Sequence, residues 1–532
     1  MDSNLVHARF CFSIVAAVVV LASAPLQVQA QAVSLDPAKL PRVGTVDERF
    51  ASYNIEMAEV TGGNFWKPYH GQGSAAEGRK PAESASTPAG MDPNPNLYQY
   101  RPPINLTNPR LRKLAAALGP AYVRVSGTWA NSVYFANSEN PPEKAPAGYS
   151  GVLTRKEWQG VIDFVHAVDG QLVTSFATST GTRNAQGVWT PQEASAWIEY
   201  TSSIGGQIAA AEFMNEPTYA AMGGAPKDYN ATDYARDVAV FKPWLKENSP
   251  GTVFLGPGSV GEGPFAIPMA GMLHTEDLLK ATRPVFDVFS YHLYAAASQR
   301  CASMGDKGQT TAAAALSEDW LSRPEKIDEY YASLRDRFEP GKPLWITETA
   351  DAACGGNPWA STFLDSFRYS IEHASLARRG VKVIMHNTLA ASDYGLLDQN
   401  TFEPRPNYWA TLLWHRLMGT AVLESQISVP ANTYVYSQCL KGASGGVTLL
   451  IINADRQHSF ELNLPTASER YTLTAEKLED RTVELNGKPL RLTSSGDLPQ
   501  FRGVPVKAGR IGFAPTSITY LTIRKAGNAN CQ

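Results

Sequence analysis

Ala211-Glu-Phe-Met-Asn-Glu-Pro217 and Leu344-Trp-Ile-Thr-Glu-Thr349 decide how this 532-residue chain is read. Each stretch is an apolar, strand-like run that closes on a glutamate, Glu216 in the first and Glu348 in the second, before a loop begins. In a βα barrel the C-terminal rim of the strands is where reacting groups sit. Two carboxylates meeting there suit cleavage of a glycosidic bond, which needs one proton donor and one anionic nucleophile or base.

Working outward from these runs, strand-like and helical patterns alternate from about Phe50 to Gly419. Strands are expected at Ser52–Met57, Ala121–Ser126, Gln171–Ala177, Ala209–Met214, Val253–Gly256, Phe286–Tyr291, Pro343–Thr347 and Val381–His386. Helices between them include Pro191–Ile204, Asp233–Glu247, Ile327–Phe338, Trp359–Arg379 and Tyr408–Met418. This alternation predicts an α/β (β/α)8 TIM barrel over residues 46–420, with a doubly wound open sheet as the alternative. Glu216 would end the fourth strand and Glu348 the seventh, and the spacing between them leaves room for three βα units. After Gly419 short alternating runs are punctuated by Gly, Asn and Asp. They predict a C-terminal antiparallel β-sandwich built from residues 421–532 and the segment 31–45. Residues 62–104 read as a long Gly/Pro/Ser/Ala-rich loop carrying Trp66, Tyr69, Tyr98 and Tyr100, placed to hang over the catalytic face.

The bulk numbers are those of an ordinary globular protein, 43% hydrophobic and 18% charged. A net charge of −3 and a pI near 6.3 argue against a nucleic-acid partner, and no Lys/Arg run supports one. Residues 1–30 read as a signal peptide: Arg9, an apolar stretch to about Ala24, then Val28-Gln29-Ala30 as a cleavage site. An uncleaved anchor is the alternative. The expected destination is the periplasm or the medium, with no membrane contact after cleavage. The mature chain then keeps Cys301, Cys354, Cys439 and Cys531, which allow three pairings in an oxidising compartment. Cys301–Cys354 and Cys439–Cys531 are favoured because each pair falls within one expected domain, with free thiols as the alternative. No cysteine spacing suggests zinc, and no metal or cofactor is expected.

Retention of anomeric configuration needs carboxyl groups about 5–5.5 Å apart, against roughly 6.5–9.5 Å for inversion. A structural ion pair is the competing reading of either glutamate taken alone. Arg124 is expected to brace the strand ends by pairing with a carboxylate, and Trp409, Leu413 and Leu417 recur at the spacing of a buried helix face. Two strings are decoys. Gly256-Pro-Gly-Ser-Val-Gly261 fits a dinucleotide-binding pattern but leads into no helix, and Gly442-Ala-Ser-Gly-Gly446 sits between two antiparallel strand candidates.

Asn-Glu-Pro on the fourth strand and Trp-x-x-Glu-Thr on the seventh resemble the clan A retaining glycosidases, and more closely glycoside hydrolase family 79, the β-glucuronidases and heparanases. The resemblance runs from about Pro109 to Leu423. It is carried by Pro109-Arg-Leu-Arg-Lys-Leu-Ala115, Ala121-Tyr-Val-Arg-Val-Ser-Gly-Thr128, Tyr291-His-Leu-Tyr294, Glu348-Thr with Cys354-Gly-Gly356, Asp393-Tyr-Gly-Leu-Leu-Asp398 and Pro406-Asn-Tyr-Trp409. It implies Glu216 as proton donor and Glu348 as nucleophile. It also implies Asn215 on the sugar 2-hydroxyl and Tyr294 holding Glu348. The N–H groups of Gly355 and Gly356, with the Tyr394 hydroxyl, would grip a uronate carboxylate, and Glu56, Thr128 and Asn387 would line the sugar subsite. The expectation is a retaining β-glucuronidase that removes terminal β-linked glucuronate. The alternatives are a heparanase-like endo-β-glucuronidase acting on glycosaminoglycan chains, a neutral-sugar clan A glycosidase, and a non-catalytic polysaccharide-binding protein on the same fold. The absence of basic clusters favours terminal release. Oligomeric state stays open.

Overall fold

Side chains alternate along most of the eight central strands, and that alternation builds the barrel. Tyr122, Val173, Ala210, Leu255, Val288, Trp345, Val383 and Met385 form one apolar cluster, while their neighbours Val123, Leu172, Ala211, Phe254, Phe289, Ile346 and Ile384 belong to another. The first set fills the barrel and the second packs outward on helices, as a period of two demands. In the computed structural model, which describes residues 32–69, 88, 90–91, 94–266, 269, 271–304 and 309–532, the strands close into a parallel ring. They are β1 (Ala51–Glu56), β2 (Tyr122–Ser126), β3 (Gln171–Ser175), β4 (Ile208–Glu212), β5 (Val253–Ser259), β6 (Val288–Tyr294), β7 (Leu344–Ala350) and β8 (Val381–His386). The signal-peptide expectation for residues 1–30 lies outside the described residues.

Each strand is followed by a helix: α1 (Pro109–Ala117), α2 (Arg155–Ala167), α3 (Gln192–Ser203), α4 (Ala231–Asn248), α5 (Thr275–Thr282), α6 (Glu318–Phe338), α7 (Phe363–Arg379) and α8 (Pro406–Leu417). The ends are written locally. Asn108 caps α1 ahead of Pro109, Thr154 and Glu157 close a capping box on α2, and Gly380 ends α7 in the left-handed region. Helix α6 starts nine residues earlier than the sequence pattern suggested, because Ser317 caps it and the chain accommodates Pro324 within the helix. Trp409, Leu413 and Leu417 are buried on α8 as expected.

One irregularity positions the chemistry. In the β6–β7 pairing Tyr291 faces Ile346 but His292 faces Glu348, so β7 carries one extra residue at Thr347. Trp345 and Thr347 point into the barrel, and a regular strand would then turn Glu348 outward. The bulge returns Glu348 to the interior beside His292.

The segment expected as a bare loop begins and ends as an antiparallel ribbon, Gly63–Trp66 against Tyr98–Arg101. Part of the intervening stretch lies outside the described residues. The ribbon is fastened across the barrel mouth: Arg101 donates to Ala390 O at 3.2 Å, and the Tyr69 N–H donates to Asp393 at 3.0 Å.

The C-terminal region is a sandwich. Strands Thr433–Leu440, Val447–Asn453, Ser517–Ile523 and Ser468–Thr474 are central to the larger sheet, whose edge includes Arg42–Thr45 paired with Met418–Leu423. The smaller sheet joins Val33–Ser34, Phe460–Leu464 and Gly509–Phe513. Leu35, Val447, Leu449, Ile451, Leu462 and Ile511 fill the space between the two sheets. Residues 442–446 form the turn of a hairpin, as read from the sequence. Disulfides join Cys301 to Cys354 and Cys439 to Cys531. The second ties the C-terminus to the sandwich across 92 residues of sequence. Replacing Cys531 by Ser is expected to cost about 2–5 kcal/mol of stability, measured as a lowered unfolding midpoint under oxidising conditions. An unchanged midpoint would show that this bridge does not hold the domain.

Candidate active site

Toward the C-terminal ends of the strands the barrel interior changes from apolar to charged. Arg124 on β2 lies in the middle of this layer and is 1% exposed. Its Nη1 donates to Glu348 Oε2 at 2.9 Å, and its Nη2 donates to Glu212 Oε2 at 2.9 Å and to Asn215 Oδ1 at 2.7 Å. One planar guanidinium therefore draws β2, β4, β7 and the loop after β4 to one point. Glu212 also accepts from Ser290 Oγ at 2.8 Å and Thr347 Oγ1 at 2.7 Å. Burial alone would push the Glu212 carboxyl up, but Arg124, His292 and these hydrogen bonds outweigh it and hold the group below the usual range. Sequence reasoning missed Glu212; its only signal was an acid inside an otherwise apolar run.

Glu216 is not on the strand. β4 ends at Glu212, and Glu216 lies four residues further on, in the left-handed region at φ 50°, ψ 63°, where it precedes a 3-10 helix at Pro217–Gly223. The backbone just before it is clamped: Asn131 Oδ1 accepts from the Asn215 N–H at 2.9 Å and Asn131 Nδ2 donates to Asn215 O at 2.8 Å. Glu216 Oε1 lies 3.0 Å from His292 Nδ1. On the other face of that ring, Arg124 Nη2 is 3.3 Å from His292 Nε2. Where Nε2 accepts a share of an Nη2 hydrogen from Arg124, Nδ1 carries the ring proton and His292 donates to Glu216. Burial raises the Glu216 carboxyl pKa, the His292 hydrogen bond opposes this, and the nearby Glu348 charge adds to the rise.

Glu348 is held at both oxygens. Besides Arg124 on Oε2, the Tyr294 hydroxyl donates to Oε1 at 2.7 Å, and Asn387 Nδ2 lies 3.4 Å from the same atom. A carboxylate oxygen of Glu216, one of Glu348 and a ring nitrogen of His292 all lie within 4.8 Å of one another. That spacing could also bridge a metal ion, but Arg124 already occupies Glu348 Oε2, and its charge opposes a cation there.

A cavity of about 160 Å³ opens over the two glutamates, bordered by Glu56, Thr128, Tyr294, Asn387 and Tyr394 among others. At about 30 Å³ of liquid volume per water it takes about five waters, room for no more than one sugar ring. Asn387 Nδ2 donates to Glu56 Oε1 at 3.0 Å and lies 3.3 Å from the Tyr394 hydroxyl. Burial and the Glu348 charge push the Glu56 carboxyl well above its ordinary range. Asn215 stands behind Glu216, with its buried Nδ2 unpartnered among the described residues. Gly355 and Gly356, at φ 83° and 87°, lie just behind the wall that Ala353 and Cys354 form, and a side chain at Gly355 would collide with Trp66. Trp129 borders the cavity, whereas Trp359 packs edge-on against Trp320 in the helix layer.

Replacing Arg124 by Met would leave Glu212 and Glu348 buried without their cation. The expected loss is about 3–5 kcal/mol of stability, with activity abolished. Equilibrium unfolding checks it, and a variant as stable as the wild type would refute the central role of this residue.

The family profile "Glycosyl hydrolase family 79, N-terminal domain" matches residues 103–372, more than half of the chain. Heparanase-like protein 1 of Arabidopsis thaliana is 27% identical over 483 residues, covering 80% of this chain and 86% of that protein. Baicalin-beta-D-glucuronidase of Scutellaria baicalensis is 25% identical, covering 79% and 83%. Hyaluronoglucuronidase of Hirudo nipponia is 24% identical, covering 81% and 92%. Among solved structures, a 4-O-alpha-L-rhamnosyl-beta-D-glucuronidase from Fusarium oxysporum superposes with a TM-score of 0.60 at 13% identity, over 92% of this chain and all of that one. A GH51 arabinofuranosidase from Xanthomonas axonopodis pv. citri gives 0.59 at 17% identity, over 92% and 99%. At such identities these two likenesses speak for the fold alone.

Proposed function

The chain belongs to glycosyl hydrolase family 79, and from that premise we propose that it is an exported, retaining β-glucuronidase releasing terminal β-linked glucuronate. The observation that carries the mechanism is the approach of Glu216 and Glu348 oxygens to within 4.8 Å, which suits direct attack and leaves no room for the water of an inverting reaction. Glu348, oriented by Arg124 and Tyr294, attacks the anomeric carbon while Glu216 protonates the departing oxygen. The covalent intermediate has lost the Glu348 charge, so the push on Glu216 weakens, its pKa falls, and it takes a proton from the attacking water. The unpartnered Asn215 Nδ2 is available to a sugar hydroxyl beside Glu216. The two carboxylates supply both roles, so this chemistry calls for no cofactor.

A uronate is favoured over a neutral sugar by the surroundings of Tyr394. The N–H groups of Gly355 and Gly356 donate to no protein acceptor among the described residues, and with the Tyr394 hydroxyl they would take the sugar carboxylate. Terminal release is supported by the ribbon fastened across the mouth and by the cavity's single-ring scale. Export is supported by the signal-like residues 1–30 and by two disulfides. Among the described residues no helix is long and apolar enough to cross a membrane.

With 4-nitrophenyl β-D-glucuronide the wild type is expected to release the β-anomer first, seen by NMR. Glu216→Gln and Glu348→Gln should each lose about 10²–10⁴-fold or more in kcat. Full activity in either variant, or release of the α-anomer, would end the assignment. Oligosaccharide products from a glucuronate polymer would point instead to internal cleavage. The pH profile gives a second check. Glu216 must be protonated for the first step, so kcat/KM falls as pH rises through its raised pKa. The alkaline limb should therefore lie above the ordinary glutamate range, and a limb within that range would contradict the acid role.

A further inference from the structure

The glycine turn at 354–356 is backed by cations from two domains. Asp393, 1% exposed, precedes Tyr394 in the loop after β8. Its N–H donates to Gly355 O at 3.1 Å, so it is part of the turn's own scaffold. Two guanidinium groups bracket its carboxylate. Arg300, after β6, donates to Oδ2 at 2.5 Å and, at 3.4 Å, to Gly356 O, which also accepts from Ser298 Oγ at 2.7 Å; it stacks over the Tyr69 ring at 4.1 Å. Arg481 lies 3.7 Å from Oδ1. It belongs to the C-terminal domain, whose preceding residues dock on the start of α7 through Leu364 N–H to Leu478 O and Phe363 N–H to Asp480 O. A third guanidinium, Arg405, donates to Asp393 O at 2.7 Å and pairs with Asp398 at 3.3 Å. Three cations thus meet the carboxylates of Asp393 and Asp398; a third carboxyl beside Gly356, that of Asp351, has its pKa pushed up to about 8 by burial and by Asp365, so it adds little negative charge near neutral pH. The crowding shows in Arg405, whose pKa is pushed down to about 10 by burial and by Arg481.

We propose that Arg300 and Arg481 are positioning residues that select an anionic sugar: they orient the Gly355-Gly356 peptides through Gly356 O and Asp393, and they leave a net positive field behind the carboxylate subsite. The inference rests on the uronate reading above and deepens it, since it makes the C-terminal domain a contributor to substrate choice. Neither residue borders the cavity over Glu216 and Glu348. Their effect is therefore on binding of the charged group and not on bond cleavage.

The test compares 4-nitrophenyl β-D-glucuronide and β-D-glucoside on the full chain, together with inhibition by D-glucuronate and D-glucose. Arg481→Met is expected to raise KM for the glucuronide, and Ki for glucuronate, about fourfold to tenfold, with kcat within about twofold. Arg481→Lys should recover most of this because it keeps the charge. Arg300→Met should lose more, since Arg300 lies closer to the Asp393 carboxylate than Arg481 does, at 2.5 Å against 3.7 Å. Glucoside turnover and glucose inhibition should not weaken. An unchanged glucuronide KM in Arg481→Met, or a parallel loss on both sugars, would overturn the proposal. A wild type that prefers the glucoside would instead overturn the underlying uronate reading, and that outcome is visible before any variant is made.

Discussion

A single buried guanidinium sets the geometry of this site. Two carboxylates, Glu212 and Glu348, are drawn into the barrel interior, the first fully buried and the second nearly so at the cavity floor, and each would be costly there alone. Arg124 answers both at once because its fork presents parallel donors in a fixed plane, which a lysine could not do. Through the same group the side chain of Asn215 is fixed, and Arg124 Nη2 lies 3.3 Å from His292 Nε2, on the ring edge away from Glu216. Glu216, Glu348 and their partners are thus registered to one another by the protein's own contacts.

Much of this architecture was legible from local chemistry. The barrel could be read because its strands keep a period of two and its helices keep apolar stripes, and both glutamates could be read because each follows an apolar run. What could not be read depends on non-local pairing. The extra residue at Thr347 is visible only against the register of β6, yet without it Glu348 would face the helix layer. Glu216 was expected at the end of β4, but it sits four residues beyond, and a left-handed backbone aims it. Glu212 looked like one more strand residue, since nothing in its neighbourhood announces a cation coming from β2. The ribbon at 63–66 and 98–101 was hidden by the low-complexity stretch between its strands, and the early start of α6 was masked by Pro324, which on propensity alone ends a helix.

The two domains are less separate than their sheets suggest. The sandwich has its own apolar core, yet the segment before Arg481 reaches the start of α7, and Arg481 comes within ion-pair distance of Asp393. Asp393 in turn holds the Tyr69 N–H, so the ribbon, the loop after β8 and the C-terminal domain converge on one carboxylate. The loop after β8 is therefore held by three parts of the chain distant in sequence.

The ribbon over the barrel mouth also has a kinetic side. On the proposed reading a saccharide cannot thread past it and must present a terminus to be cut. Degradation of a long polymer would then be limited by how many chain termini a sample contains, whatever its mass. Shortening the polymer in advance would speed the reaction in proportion to the new termini exposed.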